Sequence, residues 1–255
     1  VLRRRQRQMC IRDSPNINPY LRSKNISKDE WCDQKIKEME ETILSIGADQ
    51  IGCFIAEPIL ASGGVIVPPN GYHTRTRELC KKYDIVYISD ETVTGFGRLG
   101  HWFASKEVFN IQPDIITCAK GLTSGYLPMG AAIISDSLID GIKNTEGSQP
   151  FTNGYTYSCH PVAAKAALTN INIISNENIL GHVQEISPHF QARLKAIGEK
   201  YDIIGDARGL GLLGCLEGLG SKSTSEEARL KIDTEFGQLM DDACEKRGLL
   251  VRPII

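Results

Sequence analysis

Three polar side chains stand directly behind short apolar runs: Glu57 after Phe54-Ile55-Ala56, Asp90 after Val86-Tyr87-Ile88-Ser89, and Lys120 after Ile115-Ile116-Thr117-Cys118-Ala119. In open α/β sheets ligands sit beyond the carboxyl ends of the strands, so chemistry would be done from these positions. A lysine amine can carry a cofactor covalently, and a carboxylate beside a ring nitrogen can hold it protonated. Spacing by itself leaves other readings open. A lysine behind a strand is commonly a solvated charge, and an aspartate there is commonly a helix cap or a turn former.

The elements that must position these residues follow from periodicity. Ser27 with Glu30 three residues later forms a capping box, and Cys32, Ile36, Met39, Ile43 and Ile46 recur at helical spacing until Gly47. A strand-like run, Ile51 to Ala56, comes next, then a helical stretch from Tyr72 to Tyr83. Further apolar runs cover Ile85 to Ser89, Ile115 to Thr117 and Gly130 to Ser135. Strands that are apolar throughout and alternate with helices predict an α/β fold, with a parallel sheet covered on both faces. From Pro161 to Tyr201 the pattern predicts one long connecting helix, followed by a strand pair around Ile203 to Glu217 that opens a smaller second domain. Gly248 to Ile255 is apolar and strand-like, and it stops without a turn or polar tail.

The chain has 255 residues, 41% of them hydrophobic and 24% charged, a composition that suits a globular protein of one large or two smaller domains. No apolar run approaches the roughly 20 residues needed to cross a bilayer, and no signal-peptide pattern opens the chain, so a cytoplasmic location without membrane contact is expected. Cys10, Cys32, Cys53, Cys80, Cys118, Cys159, Cys215 and Cys244 lie far apart, without the close pairs of zinc sites or redox dithiols. Free thiols and no metal are expected.

Five arginines fall within the first twelve residues, which by itself would suggest nucleic acid or an anionic membrane. The run Arg4 to Asp13, however, resembles the translation of a transposon-derived sequencing adapter, so residues 1–14 are expected not to be native and are set aside. The remainder carries 24 basic against 30 acidic residues, a formal −6, and no basic face for nucleic acid. Both ends then look cut. The expected division is 15–165 for part of a large domain and 166–255 for the connecting helix and part of a small one.

Longer strings sharpen the chemistry. Ser89-Asp-Glu-Thr-Val-Thr-Gly-Phe-Gly-Arg-Leu-Gly100, Ala119-Lys-Gly-Leu-Thr-Ser-Gly-Tyr-Leu-Pro-Met-Gly130 and Phe151-Thr-Asn-Gly-Tyr-Thr-Tyr-Ser-Cys-His-Pro161 resemble, in order and spacing, motifs of the class III aminotransferases. Ala56-Glu-Pro-Ile59, Gly63-Gly-Val-Ile-Val-Pro-Pro69 and Arg208-Gly-Leu-Gly-Leu212 extend the match, which is nearest to the ω-amino acid and amine:pyruvate transaminases. The resemblance implies the fold-type-I architecture, a mostly parallel sheet sandwiched by helices with a smaller α+β domain behind it. It also implies pyridoxal 5′-phosphate as cofactor and transfer of an amino group from an amine or ω-amino acid to a keto acid such as pyruvate. Other chemistry on the same scaffold, an aminomutase or racemase, is the nearest alternative, and a non-catalytic binding module the more distant one.

By this resemblance Lys120 forms the Schiff base and then moves the substrate proton, which requires a neutral amine from a group whose ordinary pKa is about 10.4. Asp90 pairs with the pyridine nitrogen. Thr92 stands where the family places valine against the ring face. Tyr155 and Thr156 supply backbone N–H groups, and Thr156 its hydroxyl, to the cofactor phosphate of a partner subunit, implying a homodimer with shared sites. Asn153 replaces a common histidine and Cys159 a common glycine. Arg252 would pair with a substrate carboxylate, for which a planar guanidinium is suited. Glu57 would line the acceptor side of the pocket or cap the turn at Pro58. The family's phosphate loop and ring-stacking aromatic are not found in the chain, so these 255 residues alone are expected to be inactive, with an apolar face uncovered.

Gly209-Leu-Gly-Leu-Leu-Gly214 fits the G-x-G-x-x-G pattern of dinucleotide sites, but Cys215 to Gly220 behind it is strand-like and then loop, where such a site needs a helix. His160 reads as a turn residue before Pro161, and Trp102 as a half-buried aromatic.

Overall fold

The computed structural model describes residues 12–23, 25–144, 154–218 and 226–253, and for 144 and 226–233 the backbone only. Most of the adapter-like segment, Cys10, Asn153 and the last two residues therefore lie outside the described residues.

The first helix, α1 (Lys28–Ile46), starts as its sequence dictates: Ser27 Oγ accepts from the Glu30 N–H (3.1 Å), and Glu30 Oε2 accepts from the Ser27 N–H (2.7 Å). It ends at Gly47, whose φ of 93° favours glycine. Cys32, Ile36, Met39 and Ile43 form its buried stripe. They pack with Tyr72, Leu79 and Cys80 of α2 (Tyr72–Lys82) and with Ile85, Tyr87 and Ile111 in the main core. Each fully buried aliphatic side chain there contributes roughly 1.5–3 kcal/mol.

The sheet has the order β1 (Cys53–Ala56), β2 (Val86–Asp90), β3 (Ile115–Cys118) and β4 (Ala131–Ile134). The first three strands run parallel, and β4 is antiparallel to β3, pairing Ile115 with Ile134 and Cys118 with Ala131. Two short helices, α3 (Ala104–Glu107) and α4 (Asp136–Asn144), flank these strands in sequence. Tyr87 belongs to the core shared by α1 and α2, and Ser89 on the same side of the strand is buried too. Val86, Ile88 and Asp90 point the other way and are half-buried, and Ile55, in register with Ile88, is 56% exposed. One face of the sheet is thus packed and the other accessible, where the apolar strands predicted cover on both.

The long connecting helix is two helices, α5 (Pro161–Asn176) and α6 (Ile179–Lys200). The break falls at Asn178, left-handed at φ 51°, a conformation asparagine tolerates better than most residues. The predicted strand pair forms as an antiparallel hairpin, β5 (Ile204–Leu210) and β6 (Leu213–Gly218), packed on α6. The helix α7 (Glu226–Glu245) follows. Gly248 to Pro253 forms no strand; Pro253 instead lies beside Gly237 of α7.

Among the described residues no helix is long and apolar enough to cross a membrane. The seven described cysteines are free thiols.

Candidate active site

Strand register brings the three strand-end residues together. Ala56 pairs with Ser89, and Asp90 pairs with Thr117, so Glu57, Asp90 and the segment leading to Lys120 leave the sheet at neighbouring carboxyl ends. Adjacent strands lie about 4.8 Å apart, which sets the scale of the cluster. Asp90 is half-buried, and its Oδ1 accepts from the Thr92 N–H (3.0 Å), while Oδ2 bonds no described residue. Lys120 is exposed and left-handed at φ 40°, opening the 3-10 turn Lys120–Leu122, and its amine makes no ion pair with any described residue.

Glu57 fills the capping role its position suggested. Its Oε2 accepts from the Ala61 N–H (3.1 Å), capping the turn. Its carboxyl also senses both neighbours: burial and the Asp90 charge push its pKa up, while the Ala61 N–H and Lys120 oppose them. Pro58, next in sequence, is fixed from beneath by His73, whose Nε2 lies 2.9 Å from the Pro58 carbonyl and whose Nδ1 lies 3.0 Å from the Tyr87 hydroxyl. Burial pushes the His73 pKa down to about 4, so the ring is neutral at neutral pH.

The sequence strings contained a further anchor, Glu91, which had no assigned role. It is fully buried. Its Oε1 accepts from the Ser105 N–H (2.7 Å) and hydroxyl, and its Oε2 from the Ala104 N–H (3.0 Å) and the Thr94 hydroxyl. Its own N–H donates to the Thr117 carbonyl (2.8 Å). Four donors on two oxygens demand a carboxylate, because a glutamine would turn its NH2 toward one of the two backbone N–H groups. Glu91 thereby locks the residue after Asp90 to both β3 and the Ala104–Ser105 corner.

Of two more anchors, Asn170 gave no sequence signal and Arg208 stood in a marked string without an assigned role. Asn170 on α5 donates to the Gly121 (2.7 Å) and Leu122 (3.2 Å) carbonyls in the Lys120 turn. Arg208 on β5 donates through Nε (2.9 Å) and Nη2 (2.6 Å) to the Gly64 carbonyl, 144 residues away, and through Nη1 to Asp206 (2.9 Å) and Glu217. The hairpin is thereby tied to the glycine-rich loop behind Glu57.

The remaining predicted residues stand apart from the strand-end cluster. Tyr155 and Thr156 lie in the exposed turn that leads to Pro161, the first residue of α5, and the Tyr155 N–H donates to Ser158 Oγ (2.9 Å). Cys159 in that turn sits at φ 57°, a conformation that glycine adopts more readily. Arg252 is exposed and pairs with no described carboxylate. The Gly209–Gly214 motif is the hairpin turn, with β6 where a dinucleotide site needs a helix.

A family model described as aminotransferase class-III matches residues 6–254. The putrescine–pyruvate aminotransferase of Pseudomonas aeruginosa is 40% identical over 236 residues, covering 92% of this chain and 50% of that protein. Among solved structures, an (S)-enantioselective ω-transaminase from Thermomicrobium roseum superposes with a TM-score of 0.83 at 32% identity, covering 96% of this chain and 55% of that one. An amine transaminase from an uncultivated Pseudomonas species, in its PLP-bound form, gives 0.81 at 34% identity, covering 92% and 53%. The chain spans about half the length of the curated relatives it matches. The strand-end cluster and the match along nearly all of its length agree, and the chain belongs to the class-III aminotransferases.

Proposed function

We propose that this chain carries the catalytic lysine of an aminotransferase that moves an amino group from an amine or ω-amino acid to a keto acid, with Lys120 as the covalent anchor of pyridoxal 5′-phosphate. The observation that carries this reading is the register that gathers Glu57, Asp90 and Lys120 at adjacent strand ends. The residues fit the group: Asp90 is oriented through one oxygen and offers the other, and Lys120 presents an accessible amine.

When bound, the cofactor ring takes up the electron pair of the broken substrate C–H bond. Asp90 Oδ2 would hold a proton on the ring nitrogen, and Thr92 would pack against the ring. Lys120 Nζ would hold the cofactor covalently and, as a free amine, would take and return a proton at the substrate carbon. Glu57, with its raised pKa, faces the acceptor side, and Arg252 receives a substrate carboxylate. In the Tyr155–Thr156 turn one N–H is already engaged by Ser158, so the donors on offer to a partner subunit's phosphate are the Thr156 N–H and hydroxyl.

A homodimer with shared sites is supported by an open groove of about 650 Å³ between the Lys120 turn and α5. Beside it Tyr126 is 85% exposed, and in the turn before α5 Tyr155 and Tyr157 are 83% and 81% exposed. We assign residues 15–165 to the cofactor-binding domain and 166–255 to the connecting helices and small domain, in a cytoplasmic enzyme that contacts neither membrane nor nucleic acid.

The test uses the protein expressed from the full reading frame that contains residues 15–253. Loaded with pyridoxal phosphate, reduced with borohydride and digested, it should show a phosphopyridoxyl adduct on Lys120 by mass spectrometry. Putrescine with pyruvate should then yield alanine. A folded protein with no adduct on Lys120 would sink the reading, and turnover without any acceptor would redirect it to a mutase or racemase.

A further inference from the structure

The Lys120 turn is held in an unfavourable shape from two sides. Lys120 has φ 40° and Ser124 φ 52°, both in the left-handed region that side chains with a Cβ disfavour. A 3-10 turn bonds its carbonyls with poor geometry, and the Gly121 carbonyl accepts the Ser124 N–H at a long 3.3 Å and shares the Thr123 N–H with Lys120. The Asn170 amide nitrogen supplies the rest. Its two hydrogens meet two carbonyl acceptors, Gly121 and Leu122, so the nitrogen and not the oxygen must face the turn. On the opposite side Gly121 presses on Phe96, where an added Cβ would come within 2.9 Å of the Phe96 Cβ.

We propose that Asn170 is the positioning residue for Lys120. By clamping the two residues that follow the lysine against the Phe96 loop, it keeps Lys120 left-handed and its amine on the same edge as Asp90 and Glu57. This rests on the cofactor reading above. Asn170 lies nine residues after Pro161, about 14 Å along α5, so one rigid helix carries both the clamp and the Thr156 turn at its start. Removing the clamp frees the turn to relax, and the amine then spends less time in the geometry that reacts.

The test compares wild type with Asn170→Ala, Asn170→Asp and Asn170→Gln, in the same full-length protein freed of cofactor. Pyridoxal phosphate is added, and the rate of borohydride-trapped adduct on Lys120 is followed from pH 6 to 9. Asn170→Asp, which faces two carbonyls with an acceptor, should slow trapping at least tenfold and displace the pH of half-maximal trapping. Asn170→Ala should lie between it and wild type. Asn170→Gln, which keeps the amide hydrogens, should recover part of the rate. In Asn170→Ala the amides of residues 122–126 should exchange with deuterium faster than in wild type, with or without cofactor. Wild-type trapping that all three variants reproduce, rate and pH profile alike, overturns the clamp alone. No adduct in the folded wild type overturns the cofactor reading and the clamp's purpose together. Should Asn170→Asp fail to fold, the alanine and glutamine variants decide.

Discussion

Two turns press on the same loop, residues 91–102, and they solve the same backbone problem differently. The turn after β3 touches it where Gly121 meets Phe96. The turn between β5 and β6 touches it where Gly211 meets Leu99 and the Leu212 N–H donates to the Arg98 carbonyl (3.0 Å). Each contains a left-handed residue, φ 40° at Lys120 and φ 59° at Gly211. Glycine adopts that conformation freely and lysine does not. At the hairpin only the shape matters, so a glycine removes the strain. On the proposed reading the Lys120 side chain itself is needed, and the strain is retained and held by neighbours, as is usual where a site is assembled.

The largest test of this comparison removes what both turns lean on. Glu91→Ala strands two buried backbone N–H groups and the Thr94 hydroxyl and should lower stability by at least about 3 kcal/mol in denaturant titration. Glu91→Gln, which satisfies only one side, should fall between. A wild-type midpoint for Glu91→Ala would mean that the loop is supported elsewhere.

Acid perturbs the Glu57 corner through His73. His73 has its pKa depressed to about 4 in the folded chain from 6.5, so the unfolded chain binds the extra proton first. Stability from this group is complete above pH 6.5 and is lost as pH falls through 4, by about 3 kcal/mol in all. His73→Gln should flatten that part of the stability–pH curve; an unchanged curve would show that carboxylates alone produce the acid slope.

On the hairpin side, Gly211→Ala adds a Cβ 2.7 Å from the Leu99 Cα at a positive φ. A loss of roughly 2 kcal/mol is expected, with Lys120 trapping per folded molecule unchanged. Slowed trapping would show that strain passes through the loop from one turn to the other.

The smallest effects carry the opposite sign. Lys120→Gly should raise the stability of the cofactor-free protein by about 1 kcal/mol while abolishing the adduct. Cys159→Gly, at φ 57°, should give a similar or smaller gain with the adduct intact. If Lys120→Gly destabilises, the lysine is not strained in the way its backbone suggests.

Much of this was readable from residues in order. The capping box at Ser27 and Glu30, the stripe from Cys32 to Ile43 and the apolar strands are local or periodic signals, and each formed close to where the pattern put it. Glu57, Asp90 and Lys120 could be picked out because a strand end is a position in sequence as well as in space. The single helix from Pro161 to Tyr201 was misread because its break depends on one left-handed asparagine at 178, which composition does not announce. Glu91 stood beside Asp90 in a marked string, yet nothing local told that its four donors would come from residues 94, 104 and 105.

The sequence alone determined most of the elements up to Glu217, their order, and which side chains had the chemistry for an amine-bound cofactor, because hydrophobic period, capping and reactive group are properties of neighbouring residues. Only the tertiary structure decided what holds those side chains: Asn170 on the Lys120 turn 49 residues before it, Arg208 on Gly64 144 residues away, and His73 beneath Pro58. Hydrogen bonds across such separations form only once the sheet and helices have packed, so their partners are chosen by geometry that no local pattern records.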